Sequence, residues 1–265
     1  MQDLRRDFPN FSEVIDQIEY AAALSRLAGK DWFQMQPILL LGPAGVGETA
    51  FAQAFANILG VHFKRLDVGT MSTAAMLTGL SLGWGTGHVG EVFKTIMTSE
   101  TANPLFLLDE VDKMAGNHMT PLEPVMLSLL EKESSATFRD EALLIRMNCK
   151  HILWLATANN LDKMSEPMRS RFNIVNVKEP SKENVPQVVR SIYRKILTGN
   201  PWGHRFAKVL DDQVIERLVE YSPREASNIL LLALGKAAKR GNNGINASDI
   251  PMRVAHGSLV RMGFL

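Results

Sequence analysis

The sequence predicts an α/β fold: a mostly parallel sheet with helices on both faces, followed by a small all-helical domain. Three observations predict it. Short apolar runs alternate with helix-period segments as far as about residue 180. The first run leads through a glycine-rich turn into a helix, in Leu39-Leu40-Leu41-Gly42-Pro43-Ala44-Gly45-Val46-Gly47-Glu48-Thr49. Beyond Glu179-Pro180-Ser181 the strand-like runs fade and apolar residues fall at helical spacing (Val188, Ile192, Ile196; Val214, Leu218; Ile229, Leu232). A boundary is therefore expected near residue 180, giving domains 1–180 and 181–265.

Taken in order, Phe11, Val14, Ile15, Ile18, Ala22 and Leu27 predict a helix over 11–28, with Asn10 and Glu13 as its capping box. Pro37–Leu41 reads as a strand, and Glu48–Leu59 as a helix that Gly60 stops. His62–Val68 is the second strand, and a glycine-rich stretch from Gly69 to Gly90 precedes a helix at Glu91–Met97. Leu105–Asp109 is a wholly apolar strand ending in acids. Pro121–Lys132 is helical, and His151–Ala156 and Asn173–Val177 are two more buried strands. No apolar run approaches the ~20 residues of a membrane span.

The composition is that of an ordinary globular chain, 46% hydrophobic and 22% charged over 265 residues. A net charge of +1 provides no general drive toward nucleic acid or membrane. Lone Cys149 excludes an intrachain disulfide framework and suits a reducing compartment. Met1–Asp7 is not followed by an apolar signal core, so a cytoplasmic protein is expected.

The glycine turn fits the phosphate-loop spacing G-x-x-x-x-G-K-[ST] except that Glu48 stands at the lysine position. Backbone N–H groups at such a strand–loop–helix junction converge on phosphate. Asp109 and Glu110 close an apolar strand whose end lies beside that loop in α/β sheets. There Asp109 is a Mg²⁺ candidate together with the Thr49 hydroxyl, and Glu110 a candidate for polarising the attacking water. The stretch Trp154–Asn160 reads as a strand ending in a polar amide, and Asn159 at that edge is placed to touch the same water or the γ-phosphate. Pro167-Met168-Arg169-Ser170-Arg171-Phe172 offers two guanidinium groups, and Arg224 opens a helix of the second domain.

With these elements in this order, the chain resembles the ATPase module of Lon proteases within the AAA+ class. The matching stretches are Asn103–Met114 (NPLFLLDEVDKM), Thr137–Asp140 (TFRD), Ala156–Asp162 (ATANNLD) and Tyr221–Ala226 (YSPREA). The resemblance implies ATP/ADP contacts at Gly42, Pro43, Ala44, Gly45, Val46, Gly47, Glu48 and Thr49, and Mg²⁺ at Thr49 and Asp109. It also implies catalytic Glu110, a sensor at Asn159, a finger at Arg171 acting on the neighbouring subunit, and a second sensor at Arg224. Arg169 is the alternative finger. Trp84, in Gly79–Gly90, takes the position of the aromatic residue that grips substrate in the central pore; a buried core tryptophan is the rival reading. The implied assembly is a homo-oligomeric ring, most often hexameric, that remodels or translocates a protein substrate.

Two departures stand out. No Ser/Lys peptidase motif follows, so the chain is read as a fragment of a longer protein or as a motor working with a separate protease. Glu48 turns an attraction for phosphate into a repulsion; one charge pair at ~4 Å and an effective dielectric of ~20 is worth about 4 kcal/mol. Hydrolysis near background is expected. An introduced change, a natural non-hydrolysing ring scaffold and a one-base codon change are the three origins weighed for Glu48; the intact constellation around it favours a recent loss. A DNA-acting loader is the remaining alternative, disfavoured by the near-neutral charge.

Overall fold

The apolar runs of the first two-thirds of the chain form a five-stranded, all-parallel sheet in the computed structural model. It describes residues 1–83, 85–114 and 121–252. The chain divides into two compact units, Met1–Glu179 and Pro180–Leu265.

In the first unit the elements run α1 (Gln2–Asp7), α2 (Ser12–Leu27), β1 (Ile38–Leu41), α3 (Glu48–Leu59), β2 (Phe63–Asp67), α4 (Ala75–Thr78), α5 (Glu91–Thr98) and β3 (Leu105–Asp109). They continue with α6 (Leu122–Leu130), α7 (Lys132–Ser135), β4 (Phe138–Asp140), β5 (Ile145–Met147), β6 (Leu153–Ala158), α8 (Glu166–Arg169) and β7 (Asn173–Asn176). The sheet order is β2-β3-β6-β1-β7. From β1 the chain crosses two strand positions to β2, returns through β3 and β6, and passes β1 to reach β7. The order therefore reverses around β1, the kind of switch point at which α/β sheets open a crevice at their C-terminal edge.

Both sheet faces are covered, which is why the strands read as unbroken apolar runs. Leu105 and Leu107 of β3 pack in a layer with Phe51 and Phe55 of α3, whereas Phe106 and Leu108 pack in the opposite layer with Leu122, Met126 and Leu129 of α6. An aromatic cluster fixes the N-terminal segment onto α3. Phe11 stacks on Phe51 with ring centroids 4.4 Å apart, and Phe8 meets both rings edge-on at 5.9 and 5.6 Å.

The capping box expected for α2 is absent. The helix starts at Ser12 without a side-chain cap, because Asn10 is committed elsewhere: its Nδ2 donates to the carbonyls of Lys178 at 3.1 Å and Val46 at 3.4 Å. Leu27, expected on the packed face, is exposed. The strand expected at His151–Ala156 runs instead to Ala158, since β6 stays paired with β1 up to Leu41.

A two-stranded antiparallel hairpin, β4–β5, forms where the sequence shows no strand-length apolar run. Fully buried Asp140 anchors it: Oδ2 accepts the Gly90 N–H at 2.9 Å, and Oδ1 accepts those of Ala142 and Leu143 at 3.0 Å. Trp84, the expected pore residue, lies outside the described residues.

The second unit holds α9 (Val185–Thr198), α10 (Asp212–Leu218) and α11 (Pro223–Lys239). Its core gathers Val189, Tyr193, Val214, Leu218, Leu230 and Leu234. In α11 the buried set is Ala226, Leu230, Ala233, Leu234 and Ala237, and Leu232, expected inside, is exposed. Among the described residues no helix is long and apolar enough to cross a membrane.

Candidate nucleotide site

The loop between β1 and α3 has the backbone of a phosphate cradle. Gly45 and Gly47 adopt positive φ values of 92° and 110°, open to glycine at little cost. Gly47 caps α3 in the left-handed region, and Glu48 is the first residue of that helix. Gly42 is required for a different reason: a Cβ there would lie 2.2 Å from the Val177 carbonyl oxygen. Val46 is buried beneath the loop, and its carbonyl is one of the two held by Asn10. The loop is thus tied to the segment after β7 and to the N-terminal segment.

Register brings the other candidates to the same edge. Leu41 pairs with Ala158 and Leu108 with Ala156, so Gly42, Asp109 and Asn159 all leave their strands on one rim. The Gly42 N–H donates to the Ala158 carbonyl at 3.1 Å. Glu110 is the residue after β3 and adopts φ 58°, ψ 48°, the left-handed region. For a non-glycine residue that conformation costs on the order of 1–3 kcal/mol and persists only where surroundings enforce it. Here the Glu110 N–H donates to Thr157 Oγ1 at 3.0 Å, and that hydroxyl donates to Asp109 Oδ1 at 2.5 Å.

Asp109 and Glu110 are each paired with a base. Arg65 of β2 places Nη2 at 2.5 Å and Nε at 2.8 Å from Asp109 Oδ2. Lys113 donates to Glu110 Oε1 at 2.6 Å, a hydrogen bond that pushes the lysine pKa up. Asp112, two residues after Glu110, accepts the backbone N–H groups of Asn159 at 3.2 Å and Asn160 at 3.1 Å on Oδ2. Arg65, Thr157 and Asp112 join the site although the sequence motifs assign them no role. The D-E-V-D spacing of 109–112 was the one local sign of Asp112; contacts reaching across 44 to 48 positions leave no periodic trace.

The residues fit the groups they would hold. Glycine backbone and the start of α3 present N–H groups to an anion, and the Thr49 hydroxyl and Asp109 carboxylate are hard oxygen donors of the kind Mg²⁺ takes. A carboxylate has about four lone-pair sites, so Arg65 and Thr157 leave Asp109 capacity for a metal-bound water. Glu48 is the misfit. At the first position of α3 its carboxylate favours the helix dipole, in the place where a phosphate would do the same.

The two arginines before β7 differ. Arg169 Nε donates to the Met164 carbonyl at 2.9 Å, so its side chain fixes the local turn. Arg171 sits two residues before β7, at the end of the sheet opposite the glycine loop, and reaches Glu131 at 3.5 Å. The structure does not bring it to this chain's own loop. Arg224 is exposed near the start of α11 in the second unit. Among the described residues no group of three or more His, Cys, Asp or Glu side chains is arranged to hold a metal ion on its own.

A five-stranded parallel sheet with a glycine cradle, paired acids and a polar strand end on one rim defines a phosphate-loop nucleotide-binding protein. Residues 38–179 match the ATPase family associated with various cellular activities (AAA), and the chain belongs to that family. It is 31% identical over 183 residues to the peroxisomal Lon protease homolog 2 of Caenorhabditis elegans, covering 68% of this chain and 24% of that protein. The mitochondrial Lon protease homolog of Mus musculus is 31% identical over 174 residues, 66% of this chain and 18% of the relative. The Lon protease of Koribacter versatilis is 26% identical over 232 residues, 83% of this chain and 28% of the relative. The chain therefore spans about a quarter of the length of such relatives or less. Among solved structures, the Thermotoga maritima RuvB Holliday junction branch migration motor has the same fold. It superposes with a TM-score of 0.56 at 16% identity, over 89% of this chain and 66% of that one.

Proposed function

We propose that the chain is a Lon-like motor module whose parent activity couples ATP hydrolysis to remodelling or translocating a protein substrate. One observation carries the reading: the glycine loop, Asp109 with Glu110, and Asn159 meet on a single rim of the sheet. The loop amides and the start of α3 would bind the phosphates, and Thr49 and Asp109 would hold Mg²⁺, which would supply charge neutralisation. Glu110 orients and polarises the attacking water, and Asn159 senses the γ-phosphate. Arg171 serves the neighbouring subunit's site in a homo-oligomeric ring, hexameric by family resemblance; its place at the far end of the sheet supports action in trans. Arg224 acts as a second sensor within a helical lid, residues 181–265, and Trp84 grips substrate in the pore. Cys149, buried and free, suits a cytoplasmic setting.

As the sequence stands, Glu48 holds hydrolysis near background. Replacing repulsion by attraction at ~4 Å and a dielectric of ~20 is worth up to about 8 kcal/mol before screening. Glu48→Lys should therefore raise phosphate release by several orders of magnitude, and no gain would sink the ATPase reading. A second reading, a ring-forming scaffold without turnover, is favoured by Glu48 in the first turn of α3, where its negative charge opposes a phosphate. Light scattering with and without ATP separates the two: rings indifferent to nucleotide support the scaffold.

A further inference from the structure

Asp112 belongs to no role assigned above, yet its environment is unusual. It is 6% exposed, and its Oδ2 accepts two consecutive backbone N–H groups, those of Asn159 and Asn160. Its other oxygen is buried without a hydrogen-bond partner among the described residues. A carboxylate so enclosed and half satisfied costs folding free energy, which its two charge-assisted amide bonds offset only in part. Those amides are the first two after β6, and Asp112 lies on the turn that starts from Glu110 in its left-handed conformation.

The same two chain segments are joined a second time. The Glu110 N–H donates to Thr157 Oγ1, and Thr157 donates to Asp109 Oδ1. Residues 109–112 and 157–160 are therefore laced together by four hydrogen bonds running in both directions. We propose that Asp112 is a positioning residue that locks the turn carrying Glu110 to the strand end carrying Asn159, so that the two shift as one body. The proposal rests on the roles of Glu110 and Asn159 given above. On that reading, contact of Asn159 with the terminal phosphate sets the backbone of Glu110 through Asp112 and Thr157. Hydrolysis then depends on an acid that touches neither nucleotide nor water.

The test has two arms. In the chain as it stands, amide hydrogen exchange is compared between the parent and Asp112→Ala. Asn159 and Asn160 should lose protection by about tenfold or more, and Glu110 should lose it with them, although Asp112 does not touch its N–H. The amides of Leu105–Leu108 should keep theirs. Unchanged exchange at Glu110, or loss across the whole of β3, overturns the proposal.

In the Glu48→Lys background, Asp112→Ala should lower kcat by about tenfold or more with the KM for ATP nearly unchanged. Asp112→Asn, which keeps an oxygen acceptor, should recover most of that loss. A rise in KM with kcat intact, or an asparagine no better than alanine, also overturns it. If Glu48→Lys itself gains no turnover, the ATPase reading falls and the exchange at Glu110 alone decides whether the two segments are coupled.

Discussion

Position 110 shows how backbone and chemistry are bound together at one residue. Its φ of 58° is open to glycine and tolerated by asparagine, but disfavoured for β-branched side chains. We expect Glu110→Val to lower the stability of the first unit by about 1–3 kcal/mol, and Glu110→Asn to lower it much less. Chemical denaturation followed by fluorescence measures both; equal losses would show that the left-handed turn carries no strain. Position 48 is the converse case. There the backbone of α3 accepts glutamate without objection, and the objection is electrostatic. Restoring lysine should therefore change phosphate release far more than it changes folding.

At the scale of elements, legibility followed punctuation. α3 was read to the residue because Gly47 and Gly60 bracket it in left-handed conformations, and β3 because an unbroken apolar run ends at Asp109. The hairpin β4–β5 escaped because its strands are three residues each and its anchor is the buried acid Asp140, which looks like a loop residue in the sequence. The capping box of α11 was legible but unread: Ser222-Pro223-Arg224-Glu225 has the S-x-x-E spacing, and both reciprocal bonds are present.

The far end of that helix supports a prediction about acid. Asp249, 4% exposed, receives both Arg240 amino groups at 2.6 Å. Those bonds hold its carboxyl below the usual carboxylate range, against the opposing effect of burial, with the Asn246 N–H adding to them. A carboxyl depressed in the folded state stabilises above its unfolded pKa of about 3.9, and that contribution is lost as pH falls through the folded value. Acid unfolding of the helical unit, followed by circular dichroism, should be less steep below pH ~4 in Asp249→Asn. An unchanged acid limb would mean that the pair does not contribute.

For the whole molecule, the loop and Arg171 occupy opposite ends of one sheet, so a complete site requires two copies on the proposed reading. In the Glu48→Lys background, Glu110→Gln and Arg171→Ala should each abolish turnover alone. Mixed, they should recover a fraction of it, because some interfaces then combine an intact Glu110 with an intact Arg171. No recovery on mixing, with rings present by light scattering, would place the finger elsewhere.

The bond from Asn10 to Val46, together with the Phe8–Phe11–Phe51 cluster, has a practical consequence for anyone trimming the gene. Sequence similarity to the family begins at residue 38, which invites an expression fragment that starts there. Such a fragment strips the floor from under the phosphate cradle and bares Phe51 and Phe55 to water. It should come out of the cell aggregated, whereas one that retains Phe8 and its neighbours should stay in solution.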